Sequence, residues 1–104
     1  MPVWFVYMVR TAQGQLYTGI STDPLRRLRQ HQGLLTGGAK ALRGKGPLSL
    51  VYQTVYPDRA SASKAEYQLK QLSKTAKEEL VQQYAQQYAE YNTTQHSPEL
   101  SSEL

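Results

Sequence analysis

The hydrophobic positions alternate between strand-like runs and helix-like spacings. Val3 to Arg10 (VWFVYMVR) is apolar on both alternating faces and rich in β-branched and aromatic residues, which predicts a central strand covered on both sides. A glycine-containing turn, Ala12-Gln13-Gly14-Gln15, separates it from a second short strand, Leu16 to Ile20, so the two read as a hairpin. Thr22-Asp23-Pro24 then announces a helix, with Asp23 able to cap it and Pro24 suited to its first position. That helix, LRRLRQHQ, is expected to end near Gly33 and to turn Leu25 and Leu28 toward the core. Residues 33–47 form a glycine-rich loop closed by Pro47, and Leu48 to Tyr56 reads as a third strand.

Pro57-Asp58 opens a second helix through about Leu72, whose buried stripe is expected to be Ala62, Ala65, Leu69 and Leu72. Thr75 with Glu78 three residues later fits a capping box for a third helix reaching about Tyr91. On that helix Val81, Tyr84, Tyr88 and Tyr91 recur at helical spacing, as a packing face does. The order is ββαβαα. It predicts a small α/β domain over residues 1–91, a three-stranded sheet flanked by helices, and a polar, Ser- and Glu-rich tail over 92–104 expected to be disordered.

Composition narrows the chemistry. A chain of 104 residues makes one small domain, without room for a separate cofactor-binding module. The absence of cysteine excludes disulfides, thiol catalysis and thiolate metal sites, and two histidines, His31 and His96, exclude a multi-histidine metal site. No apolar run approaches the roughly 20 residues that cross a bilayer, and Met1-Pro2-Val3-Trp4-Phe5 lacks the basic start of a secretory signal, so a cytoplasmic location is expected. The net charge of +4 hides an asymmetry: residues 1–77 carry all 12 Lys/Arg and three acids, whereas residues 78–104 carry five acids and no Lys/Arg. A basic body with an acidic end suggests a polyanionic partner.

Three constellations could carry chemistry. Tyr7 and Tyr17-Thr18-Gly19 lie on the two strands of the hairpin, where both hydroxyls can emerge on one side of the sheet; alone they would read as packing residues with a wet tip. Arg27 and His31, at i and i+4, share a helix face flanked by Arg26 and Arg29, which is either a solvated basic surface or a phosphate-facing one. Glu66 lies inside the apolar arc of helix 2, where a carboxylate is expensive to bury unless it is paired, exposed at a cleft or bound to a cation. The loop segment Gly38 to Lys45 is no nucleotide-triphosphate loop. Five residues separate Gly38 from Gly44, Gly46 replaces the needed hydroxyl, and a strand follows instead of a helix.

In this order, Tyr7, Tyr17-Thr18-Gly19, Asp23, Arg27, His31 and a helical Glu66 resemble the GIY-YIG nuclease family, in particular its small stand-alone bacterial YhbQ-like branch. The likeness runs from about Val3 to Leu72, with Phe5-Val6 in place of the first triplet's Gly-Ile and Thr18 in place of the second triplet's Ile. Gly38-Ala39-Lys40 through Pro47 to Tyr52 also resembles the nuclease subunit that cuts branched DNA. The asparagine used late in many members is not assigned here, since Asn92 lies beyond the third helix.

The resemblance implies metal-dependent phosphodiester hydrolysis with Tyr7, Tyr17, Gly19, Arg27, His31 and Glu66 in the site. Glu66 would hold one Mg²⁺ or Mn²⁺, weakly without substrate. It implies that Tyr17 accepts the proton of the attacking water, with Tyr7 positioning the water or sharing that role, and that Arg27 and His31 attend the phosphate. Arg26, Arg27, Lys40, Arg43 and Lys45 would bind nucleic acid, DNA in preference to RNA. An endonuclease of DNA repair or recombination is the leading expectation. A catalytically silent nucleic-acid-binding module and a subunit active only with a protein partner are the alternatives.

Overall fold

The computed structural model describes residues 2–32, 42 and 44–87. Three strands, β1 (Trp4–Arg10), β2 (Leu16–Ser21) and β3 (Ser49–Tyr56), form one antiparallel sheet in the order β2-β1-β3. The first strand is thus the central one, as its two apolar faces require: Val6, Tyr7, Met8 and Val9 are all buried. Gly14, at φ +88°, makes the hairpin turn possible in a conformation that other residues adopt only with strain. Register places Tyr7 opposite Gly19 on one side and Gln53 on the other, and Val9 opposite Tyr17 and Leu50.

Alternation of side chains along β1 divides the core in two. On one face Tyr7 and Val9 pack with Leu42 and Leu48, supported by Tyr17, Leu28 and Leu50. On the other, Val6 packs with Ala62 and Leu69, supported by Trp4, Ile20, Tyr52 and Leu80. The first face is covered by α1 (Pro24–His31) and the second by α2 (Arg59–Lys70), followed by a third helix, α3, that spans 74–87 of the described residues. Both helices start at the expected aspartates, Asp23 and Asp58, which act as their caps. Asp23 accepts from the Arg26 N–H at 3.2 Å and Asp58 from the Ser61 N–H at 2.8 Å, satisfying donors that a helix start leaves open.

The structure corrects three local expectations. Leu25 is 61% exposed, because α1 docks through Pro24, Leu28 and His31, a face rotated from the one that includes Leu25. Leu72 is exposed as well, since α2 closes at Lys70 with Gln71 as its cap and the stripe stops at Leu69. The cap of α3 is Ser73, whose hydroxyl accepts from the Ala76 N–H at 3.1 Å, so Thr75 lies inside the helix and makes no capping box. Glu78 instead meets the Arg10 guanidinium in a two-pronged pair at 2.7 and 2.9 Å, tying α3 to the sheet. The expected packing face of α3 is present as far as it is described: Val81 is buried and Tyr84 lies against Tyr52, with ring centroids 5.8 Å apart. Tyr88, Tyr91 and the acidic tail lie outside the described residues.

Candidate active site

Tyr7 is the centre of the arrangement. It leaves the middle strand on the α1 face, and its ring crosses the edge strand over Gly19. A Cβ built on Gly19 would stand 2.6 Å from the Tyr7 hydroxyl oxygen and 2.8 Å from Cζ. Glycine is therefore required here by a close approach, and it lets the Tyr7 hydroxyl reach out over β2.

The same hydroxyl lies 2.9 Å from His31 Nε2 in a buried contact. Arg27, one turn earlier on α1, also hydrogen-bonds the Tyr7 side chain. A guanidinium can only donate, so the Tyr7 oxygen accepts from Arg27. Tyr17 meets the same imidazole edge-on, with ring centroids 5.4 Å apart. Four of the six expected catalytic side chains thus touch through one buried histidine or one guanidinium, and Gly19 makes room for them.

The electrostatics follow from burial. The Tyr7 hydroxyl is pushed up to about 12, first by desolvation and then by neighbouring Tyr17; the Arg27 charge and hydrogen bond oppose this, and Glu66 adds to it. His31 is held below the ordinary imidazole value, first by burial and second by the Arg27 charge. Both groups are therefore neutral at pH 7, and the cluster's charge resides on Arg27. The Arg27 Nη1 also donates to Gln30 Oε1 at 2.8 Å, a neutral acceptor that fixes the guanidinium without cancelling its charge. Gln30 was not singled out from the sequence, although its i+3 spacing from Arg27 puts it on the same helix face.

Glu66 comes from α2, the helix on the opposite face of the sheet. Its charge reaches the Tyr7 hydroxyl, which lies over the β2 edge, but its ion-pair partner is Lys70 Nζ, one turn along the same helix at 3.2 Å. The carboxylate side chain is about a quarter exposed, with 23% of its surface open. Among the described residues no three His, Cys, Asp or Glu side chains converge as a metal cage. The donor set is a single hard oxygen ligand open to solvent. That fits a Mg²⁺ or Mn²⁺ ion which draws its remaining ligands from water and a substrate phosphate, and it does not fit a tetrahedral zinc site.

Of the expected nucleic-acid contacts, Arg26 is exposed on α1, and Lys45 is half-buried beside Tyr17. Lys40 and Arg43 lie outside the described residues. No helix among the described residues is long and apolar enough to cross a membrane.

Residues 3–79 match the family described as the GIY-YIG catalytic domain. A UPF0213 protein of Aeromonas hydrophila is 61% identical over 80 residues; the match covers 77% of this chain and 57% of that relative, so the chain spans little more than half the relative's length. The UPF0213 protein YhbQ of Escherichia coli is 50% identical over 103 residues, which covers 99% of this chain and all of that relative. The solution NMR structure of a UPF0213 protein from Bacillus halodurans is 35% identical and superposes with a TM-score of 0.51, covering 90% of this chain and 95% of that one.

Proposed function

This chain belongs to the GIY-YIG family, and from that membership we propose that it is a divalent-metal-dependent nuclease that cuts phosphodiester bonds within nucleic acid, DNA in preference to RNA. The observation that carries the reading is the convergence of Tyr7, Tyr17, Arg27 and His31 on one face of the sheet, with Glu66 within charge range of the Tyr7 hydroxyl.

Hydrolysis needs a deprotonated water in line with the leaving oxygen and positive charge on the scissile phosphate. The two tyrosines differ in what they can offer. Tyr7 is buried, protonated and held between His31 and Arg27, so it orients groups and is a poor proton acceptor. Tyr17 is half-buried on the edge strand and carries the proton-accepting role. Arg27, braced by Gln30, stabilises the charge that develops on the phosphate oxygens. His31 stays neutral, fixes the Tyr7 hydroxyl and packs against Tyr17. Glu66 would hold Mg²⁺ or Mn²⁺, and a bound ion of this kind neutralises phosphate charge and makes its water more acidic. The basic body, with exposed Arg26 and the loop cations Lys40, Arg43 and Lys45, supplies non-specific attraction to the backbone.

The test is cleavage of branched, nicked, duplex and single-stranded substrates with Mg²⁺ or Mn²⁺, beside a Glu66→Ala protein. The expected result is metal-dependent cutting that Glu66→Ala abolishes while nucleic-acid binding persists. Unchanged cutting by purified Glu66→Ala protein would overturn the assignment.

A further inference from the structure

Beside Tyr17 an open hollow of about 310 Å³ is lined by Thr11, Gln15, Leu16, Tyr17, Leu42 and Lys45. Its lining is of mixed character. Leu16, Leu42 and the Tyr17 ring supply apolar walls, and Thr11 and Gln15 supply neutral hydrogen-bonding groups. Among the described residues no carboxylate lines it, and Lys45 is its one cation.

Lys45 is half-buried and forms no ion pair among the described residues, so its charge is open to an incoming anion. Its backbone is fixed on both sides: the Lys45 N–H donates to the Leu42 carbonyl at 3.2 Å, and its carbonyl accepts from the Ala12 N–H at 3.0 Å. The Thr11 hydroxyl accepts from the Gln15 N–H at 3.1 Å, which leaves its own proton to donate. Ligand pockets begin near about 300 Å³, so this one suits a single small unit.

The geometry points to this hollow as a subsite for one nucleotide of the bound strand, with Lys45 on its phosphate, Leu16 and Leu42 against its sugar and base, and Tyr17 as the wall shared with the reacting phosphate. An anion alone would not use the apolar walls, and an apolar ligand alone would leave Lys45 without a partner. The assignment rests on the nucleic-acid role proposed above, and it extends that role to a defined place for the neighbouring nucleotide.

The experiment is a titration of the intact, isotope-labelled chain with thymidine 5′-monophosphate, read by amide chemical shifts. Inorganic phosphate and thymidine form separate arms. The nucleotide is expected to shift Thr11, Gln15, Leu16, Tyr17 and Lys45, and each half-molecule to bind more weakly. Lys45→Met, which keeps the alkyl stem, and Gln15→Trp, which fills the hollow from an exposed turn position, should each weaken the nucleotide at least about tenfold. Shifts confined to other surfaces, full reproduction of the pattern by phosphate alone, or parent-like binding by both variants would overturn the subsite. A chain that cuts nucleic acid yet shows no such shifts refutes the subsite and spares the activity. A chain that binds the nucleotide here and never cuts upholds the subsite and refutes the activity.

Discussion

Replacing Gly19 with alanine tests the centre of the site without removing any group that does chemistry. The new Cβ would stand 2.6 Å from the Tyr7 hydroxyl oxygen, 2.8 Å from Cζ and 3.2 Å from Cε2. Non-bonded heavy atoms rest about 3.5–4.0 Å apart, so the Tyr7 ring must lift by roughly 1 Å. Tyr7 is 1% exposed and cannot swing into solvent, so the cost is that of overpacking, about 1–3 kcal/mol. Lifting the ring also stretches the 2.9 Å contact with His31 Nε2, and a buried polar group that loses its partner costs about a further 1–3 kcal/mol.

The expected loss is therefore on the order of 2–6 kcal/mol, a large part of the roughly 5–15 kcal/mol by which such a domain is stable. Thermal unfolding measures it, since each kcal/mol moves the midpoint by roughly 4–8 °C at this size. Gly14→Ala is the control: Gly14 sits at φ +88° with nothing near its missing Cβ. It should cost about 1 kcal/mol through backbone strain and leave the Tyr7 and His31 resonances where they are. A Gly19→Ala protein that melts within about 2 °C of the parent, with unshifted His31 resonances, would refute the close approach.

Two further outcomes follow from the shifted groups. Tyr7 protonates more readily folded, at about 12, than unfolded, near 10, so its stabilising effect is complete below about pH 10 and is lost as the pH rises through 12, by up to about 3 kcal/mol. Alkaline unfolding should show this drop in the parent and lose it in Tyr7→Phe; the same alkaline profile in both would place the hydroxyl in solvent. His31 titrates below its ordinary value of about 6.5, so its effect has the opposite sign: it is complete above that pH and is lost as acid brings the imidazole through its folded value. Chemical unfolding at pH 7 and pH 5 should show less acid loss in His31→Gln than in the parent, and equal losses would mean that the imidazole is not buried neutral.

The sequence by itself determined the elements and most of their ends. The two apolar faces of Val3 to Arg10 mark a central strand because only a strand covered on both sides can bury them all. Asp23 and Asp58 mark helix starts because a short carboxylate before a helical run can reach the open N–H groups from its own backbone position. These are local matters, settled by residues three or four apart. The ordered motif likewise singled out Tyr7, Tyr17, Arg27 and His31, which lie together on the α1 face.

What the tertiary structure decided depends on groups remote in sequence. The Thr75 cap and the buried Leu25 were sound local readings that distant partners overrode: Glu78 pairs with Arg10, 68 residues away, and α1 turns His31 inward because Tyr7, 24 residues away, offers the buried imidazole a hydrogen bond. The difference between the two tyrosines was equally hidden. Spacing puts both on one side of a hairpin, but only the packing of α1 over the middle strand strips water from Tyr7 and leaves Tyr17 at the edge. Desolvation and pairing depend on what arrives from elsewhere in the chain, and no short window of sequence contains that information.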